Sequence, residues 1–189
     1  MRTRTPTIES FAALLRESRA RHVEEGEMLK RVCVLAGALA EAKAAWLTDA
    51  MCRPDPLQGF GLHLLHEESD HTLAVFVVTW LPKRTTPPHD HGTWAVVAGL
   101  DGEERNFVWR RTDDGARPGH AAVEVASESV VGEDDVIALP SGTIHSVANE
   151  GDRMSVSLHV YGRHVNHTER SQYDPVAKTE TAYKVQVAA

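Results

Sequence analysis

From Phe60 onward the chain is cut into short apolar segments separated by turn residues, and this limits the fold more than any other feature. The segments are Phe60–His66, Thr72–Leu81, Trp94–Leu100, Glu103–Arg111, Ala122–Ser127, Asp135–Ala138, Ile144–Ala148 and Met154–Tyr161. They are rich in β-branched and aromatic residues and too short for helices, so they predict strands. About eight strands with frequent turns predict a sandwich, jelly roll or small barrel. Asp101-Gly102, between two of these segments, reads as a hairpin turn, because type I′ turns need positive φ. Thr112–Gly119 reads as a loop, and Tyr183–Val187 as a last strand in an otherwise polar tail.

The residues before this region follow a different period. Thr5 is placed to cap a helix with Pro6 at its first position, and Phe11, Leu14 and Leu15 recur at helical spacing. A second helical run, Glu24–Leu47, carries Met28, Val32, Leu35, Leu39 and Trp46 on one stripe and is expected to break near Gly37. The expected organisation is a helical region over residues 1–55 packed on a β-barrel over residues 56–189, together one structural domain. A chain of 189 residues is long enough for one full core.

The net charge of −7 argues against nucleic-acid or acidic-membrane partners, since little here would neutralise phosphate. The polar start MRTRTPTIES has no secretory apolar region, and no apolar run approaches a membrane span, so a cytoplasmic location is expected. Cys33 and Cys52 form neither a disulfide framework nor a CxxC pair; Cys33 reads as a core thiol.

Two separated pieces carry chemistry. In Pro87-Pro88-His89-Asp90-His91-Gly92, the two histidines stand two apart, so an extended backbone turns both imidazoles to one face. In Pro140-Ser141-Gly142-Thr143-Ile144-His145, a Pro-x-Gly turn delivers a third histidine at the start of a strand. A third element is Ser157-x-His159-x-Tyr161, where period two puts hydroxyl, imidazole and phenol on one face. Pattern alone leaves open whether that face is the outer surface or a polar pocket.

His89-x-His91 followed by Gly102, and Pro140-x-Gly142-x-x-His145-x-x-x-Asn149, resemble the two motifs of the cupin superfamily. The resemblance implies a mainly β double-stranded β-helix, a jelly-roll barrel with N-terminal α-helices, holding a metal with His89, His91 and His145. Many cupins supply a glutamate four residues after the second histidine; here Ala95 stands there. Three neutral imidazoles leave the ion its full charge, which suits an anionic, soft ligand such as thiolate.

Ser157-x-His159-x-Tyr161-Gly162 resembles the hydrogen-bonded relay of the thiol dioxygenases, the group containing cysteine dioxygenase and 3-mercaptopropionate dioxygenase. That resemblance covers roughly residues 60 to 175. It implies Fe(II) as cofactor, with Ni, Mn or Zn also compatible with the donors, and a small thiol and O2 as substrates. It implies that Tyr161 points at substrate or oxygen, that His159 orients Tyr161 and that Ser157 orients His159. Ala95, Val96 and Val97 leave no cysteine to crosslink with Tyr161, unlike cysteine dioxygenases of the animal type. Those enzymes hold the substrate carboxylate with an arginine on an early strand, near which His63 stands here. The 3-mercaptopropionate type uses an arginine beyond the relay tyrosine, a place that Arg170, or nearer Arg163, can fill. The expectation is therefore a small mercapto acid, closer to 3-mercaptopropionate than to cysteine. Another metal-cupin enzyme (hydrolase, isomerase or ring-cleaving dioxygenase) and a non-catalytic small-molecule binder remain alternatives, and an exposed barrel edge would allow copies of the chain to pair. The step from His145 to the relay is slightly shorter than the family's, which predicts a tight turn at Asn149–Arg153.

Overall fold

A computed structural model describes residues 6–21 and 24–187. The expected Thr5 cap lies outside these residues. Helix α1 (Ile8–Arg21) is instead capped by Thr7, whose Oγ1 accepts from Ser10 N at 3.2 Å while Ser10 Oγ accepts from Thr7 N at 2.9 Å. Phe11 and Leu15 are buried, but Leu14 is 38% exposed and Ser18 takes the buried place a turn later. Helix α2 (Glu25–Glu41) runs through Gly37 without a break and ends in a short 3₁₀ turn, Lys43–Ala45. Gly37 faces Val136, at ordinary contact distance from where a Cβ would stand. None of the described helices is long and apolar enough to cross a membrane.

Among the described residues eleven strands follow: β1 (Phe60–Glu67), β2 (Thr72–Trp80), β3 (Arg84–Thr85), β4 (Ala95–Asp101), β5 (Glu104–Arg111), β6 (Val123–Val131), β7 (Val136–Leu139), β8 (Ile144–Asn149), β9 (Ser155–Arg163), β10 (Ser171–Asp174) and β11 (Thr179–Ala182). One sheet has the order β1-β2-β9-β4-β7 and the other β3-β8-β5-β6, with antiparallel pairing of the strands inside each. The two sheets close on each other as a jelly-roll barrel, the double-stranded β-helix expected from the motifs.

The Asp101-Gly102 hairpin does not form. β4 and β5 belong to different sheets, and Gly102 (φ +68) instead turns the chain from one to the other. A Cβ there would lie 2.9 Å from Met154 O, so glycine is also needed for the close approach of β9. The strand expected at Tyr183–Val187 is likewise displaced. The pairing is β10 with β11, ending at Ala182, and the segment after it lays Tyr183 and Val185 into the barrel interior. β6 runs further than expected, to Val131, because it pairs with β5 along its whole length.

The core has two layers. Between the sheets lie Leu62, Phe76, Val78, Trp80, Val97, Leu139 and Val147. Outside the five-stranded sheet, α1 and α2 cover Leu73, Val75, Val77, Val96, Val156, Leu158 and Val160. Cys33 and Cys52 are both free, partly buried and packed against this second layer. The second layer decides how β9 is oriented. Because helices cover the outer face, apolar Val156, Leu158 and Val160 can point outward, which leaves Ser157, His159 and Tyr161 to face the interior.

Candidate metal centre

His89, His91 and His145 converge inside the barrel, each offering a ring nitrogen within 4.8 Å of the others. All three are buried, at 6%, 3% and 1% exposure. The approach to His89 is joined to β8 by paired backbone bonds, His89 N to His145 O and His145 N to His89 O, both 2.8 Å. Their tautomers are set by what each ring faces. His89 Nδ1 lies 2.9 Å from Pro87 O, a carbonyl that can only accept, so Nδ1 carries the proton and Nε2 keeps its lone pair free for a metal. His145 Nδ1 lies 3.2 Å from Asn106 Oδ1, with the same consequence. Such outer bonds are the usual means of orienting metal-binding imidazoles.

His145 Nε2 and His91 Nε2 stand 3.1 Å apart. Two nitrogens each about 2.0–2.1 Å from one ion, at angles between octahedral and tetrahedral, are separated by about 2.9–3.4 Å. The His91–His145 spacing therefore fits two ligands of one divalent metal, and His89 brings a ring nitrogen within 4.8 Å of both. Burial, with the other imidazoles and Arg170 adding to it, holds His91 and His145 well below the ordinary histidine range, and burial first, then Arg170, holds His89 at about 4. The rings are thus neutral at ordinary pH, the form in which imidazole binds metal.

The β9 face supplies the next layer. Ser157 Oγ is 2.9 Å from His159 Nε2, and His159 Nδ1 is 2.8 Å from Tyr161 OH. Burial pushes the Tyr161 phenol up and His159 down to about 3, so both are neutral groups exchanging hydrogen bonds. The Tyr161 ring packs edge-on to His91, with centroids 4.9 Å apart. Its neighbours across the sheet are Ala74 and Ala95, small residues that leave the ring its room.

Arg170 completes the pocket. It is 5% exposed, and its Nη2 is buried without a hydrogen-bond partner. Its Nε donates to Tyr183 O at 3.3 Å, and its guanidinium carbon lies 4.5 Å from the centre of the Tyr183 ring. Asp90, between the two histidines, brings it there. The Asp90 carboxylate accepts from Gly92 N (2.8 Å), Ser171 N (3.1 Å) and Tyr173 OH (2.9 Å), which ties the histidine loop to β10. Pro88 O accepts from Tyr173 N at 2.8 Å on the same seam. Sequence reasoning missed Asp90; its only signal was a carboxylate between two presumed ligands.

The pocket is lined by polar groups, the three histidines, His159, Tyr161 and Arg170, and by the largely apolar Phe60, Leu62, Trp80, Val165, Tyr183 and Val185. It has room for about 30 Å³ of solvent. A far larger concavity, about 570 Å³, opens between the charged turns at 101–105 and 149–154 and contains none of the three histidines. The enclosed pocket, with its convergent donors, is the chemically competent one. Arg163 is exposed at the end of β9, outside the pocket lining. His63 is not in the lining either; its strand neighbour Leu62 is, because adjacent residues of β1 face opposite sides.

A second group of donors, Glu67, His164 and His167, also comes together among the described residues. His164 Nδ1 accepts from Asn166 N at 3.1 Å, which puts the proton of the neutral ring on its other nitrogen. Glu67 is already held by His71 Nδ1 at 2.7 Å. These bonds already occupy a nitrogen of His164 and the carboxylate of Glu67. Trp94 and Trp109 are structural: Trp94 is buried in the outer layer, and Trp109 Nε1 donates to Ser146 Oγ at 2.9 Å.

No protein-family model matches the chain. Among solved structures, it is similar to an uncharacterised protein with a double-stranded β-helix domain from Klebsiella pneumoniae, at 15% identity and a TM-score of 0.48, covering 66% of this chain and 86% of that one. A Cupin_2 domain of an XRE-family transcriptional regulator from Enterobacter cloacae matches at 14% identity and a TM-score of 0.41, covering 57% and 99%. Oxalate oxidase, in complex with the substrate analogue glycolate, matches at 18% identity and a TM-score of 0.45, covering 58% of this chain and 53% of that one.

Proposed function

We propose that this chain is a non-haem Fe(II) thiol dioxygenase that oxidises a small mercapto acid to its sulfinic acid. The observation that carries the reading is Arg170, a buried guanidinium with an unpartnered Nη2, which lines the same small pocket as three neutral imidazoles. An unpaired buried cation is costly, and an anionic ligand removes the cost. A guanidinium offers paired donors in one plane, which match a carboxylate. A substrate with carboxylate at one end and thiolate at the other would satisfy both Arg170 and an ion held by His89, His91 and His145.

When bound, the metal would take up the thiolate and supply the one-electron chemistry that O2 requires. The chain's own residues position and protect. His89 and His145 are locked through Pro87 and Asn106 to present Nε2. Tyr161 offers a neutral hydroxyl at the pocket wall, aligned by His159 and Ser157. Phe60, Leu62, Trp80 and Val165 keep water out and limit the substrate to a few heavy atoms. Arg170, beyond the relay tyrosine, favours the 3-mercaptopropionate type over the cysteine type, since on the early strand the pocket is met by Leu62 and not by His63.

The test is oxygen uptake by Fe(II)-loaded protein against cysteine, 3-mercaptopropionate, 2-mercaptosuccinate, cysteamine and a thiol-free control. Uptake is expected with the carboxylated thiols, most with 3-mercaptopropionate, and not with cysteamine. No uptake with any thiol, in protein holding one iron per chain, would overturn the reading.

A further inference from the structure

The relay does not end at Ser157. Ser157 Oγ lies 2.9 Å from Oε2 of Glu104, a residue that is 2% exposed. Glu104 Oε1 accepts from Asn106 Nδ2 at 3.2 Å, and Asn106 is the residue whose Oδ1 holds His145. Trp80 Nε1 donates to Ser157 Oγ at 3.4 Å. One unbroken set of hydrogen bonds thus links Tyr161, His159, Ser157, Glu104, Asn106 and His145.

We propose that Glu104 is a positioning residue whose protonation state sets the direction of every hydrogen bond in this relay, and with it whether the Tyr161 hydroxyl donates to His159 or into the pocket. The reasoning is donor counting. An ionised Glu104 can only accept, so Ser157 donates to it. Ser157 Oγ must then accept from His159 Nε2–H, His159 Nδ1 is left as acceptor, and Tyr161 donates to it. If Glu104 takes a proton from solvent, it donates to Ser157, Ser157 donates to His159 Nε2, and the imidazole proton sits on Nδ1. Nδ1–H then donates to Tyr161, whose own hydrogen is free for the pocket. His159 stays neutral in both states and only exchanges tautomer. The Trp80 bond survives either way, because Ser157 Oγ has two lone pairs.

The surroundings allow the switch near neutrality. Burial raises Glu104 to about 7, against the opposing bonds from Asn106, Ser157 and Trp80. The groups facing it are Asn106 on its own strand, Trp80 on β2 and Ser157 on β9, with His159, Tyr161 and His145 one or two bonds further on. The open concavity that also reaches Glu104 carries the carboxylates of Asp101, Glu103, Glu133, Asp135, Glu150 and Asp152 and the guanidiniums of Arg105 and Arg153. Asn106 cannot reverse without giving up His145, so its Nδ2 always needs the Glu104 acceptor.

The hydrogen-bond switch stands on geometry, and its catalytic consequence rests on the dioxygenase reading. It is tested by nitrogen NMR of His159 in the full chain loaded with Zn(II), titrated between about pH 5 and pH 9. The expected result is a proton on Nε2 at high pH and on Nδ1 at low pH, with both nitrogens exchanging their shift ranges about a midpoint near 7. In Glu104→Gln, the amide carbonyl must face Asn106 and its NH2 must face Ser157, so Nδ1–H should persist across the range. A wild-type His159 tautomer that does not change with pH overturns the inference, and this needs no variant. A Glu104→Gln protein that still titrates overturns it as well. A switching tautomer in a protein that oxidises no thiol would uphold the switch and reject the dioxygenase reading. A fixed tautomer in an active thiol dioxygenase would do the reverse.

Discussion

Both Arg170 and the nearer Arg163 lie beyond the relay tyrosine, and the sequence offers either as the carboxylate-binding group. What separates them is the Asp90 carboxylate, which pulls β10 against the histidine loop and buries Arg170, while Arg163 ends β9 in solvent. Arg170→Gln should therefore raise KM for a carboxylated thiol about thirty-fold, the equivalent of about 2 kcal/mol for a lost buried charge contact. Arg163→Ala should leave steady-state kinetics unchanged. His89 and His91 were legible because their spacing encodes a shared face, and His145 because a Pro-x-Gly turn delivers it at the start of a strand. Glu104 and Asn106 were not, since nothing local distinguishes a buried glutamate on a strand from a solvated one. Tyr161→Phe removes one oxygen and keeps the ring. Metal content should be unaffected, while turnover falls about ten-fold or more for loss of a bond formed to the reacting group.

β9 is the element on which the account turns. Its alternation was plain in the sequence, but its orientation was not, because that depends on what covers the far side of the sheet. The helices cover it, and they hold Leu158 at 0% exposure. Leu158→Ala should destabilise the protein by about 3 kcal/mol in denaturant unfolding, with metal affinity largely retained, because the cavity opens on the helix side. Gly37 shows the same limit of local reading. Glycine in mid-helix reads as a break, yet α2 continues, and the site leaves ordinary contact distance, 3.4 Å, between an added Cβ and Val136. Gly37→Ala should stabilise by about 0.5–1 kcal/mol. Gly99→Ala should do the opposite and abolish folding, since its Cβ would fall 1.9 Å from Gly132 O. The Asp101-Gly102 turn was misread for a related reason: a positive-φ glycine between two strands serves a crossing between sheets as well as a hairpin.

For the whole molecule, the interior of the barrel couples stability to pH. His89 and His159 have folded values near 4 and 3, below the ordinary 6.5, so the unfolded chain binds more protons between those values. Their contribution is complete above about 6.5 and is lost as pH falls through that window; His91 and His145 act in the same sense. Glu104 acts in the opposite sense between 4.5 and about 7, but it is one group against four. The Tm of metal-free protein should fall as pH is lowered from about 6.5 to 4.5, and a divalent metal at neutral pH should raise it. The barrel and its metal face could be foreseen from turns and motifs, whereas the link between helices, β9 and the C-terminal hairpin exists only in three dimensions. The central claim is most directly tested by incubating Fe(II)-loaded protein with 3-mercaptopropionate under isotopically heavy O2 and weighing the product. The account predicts a sulfinate in which both added oxygens are heavy; a disulfide, or a product with one heavy oxygen or none, would contradict it.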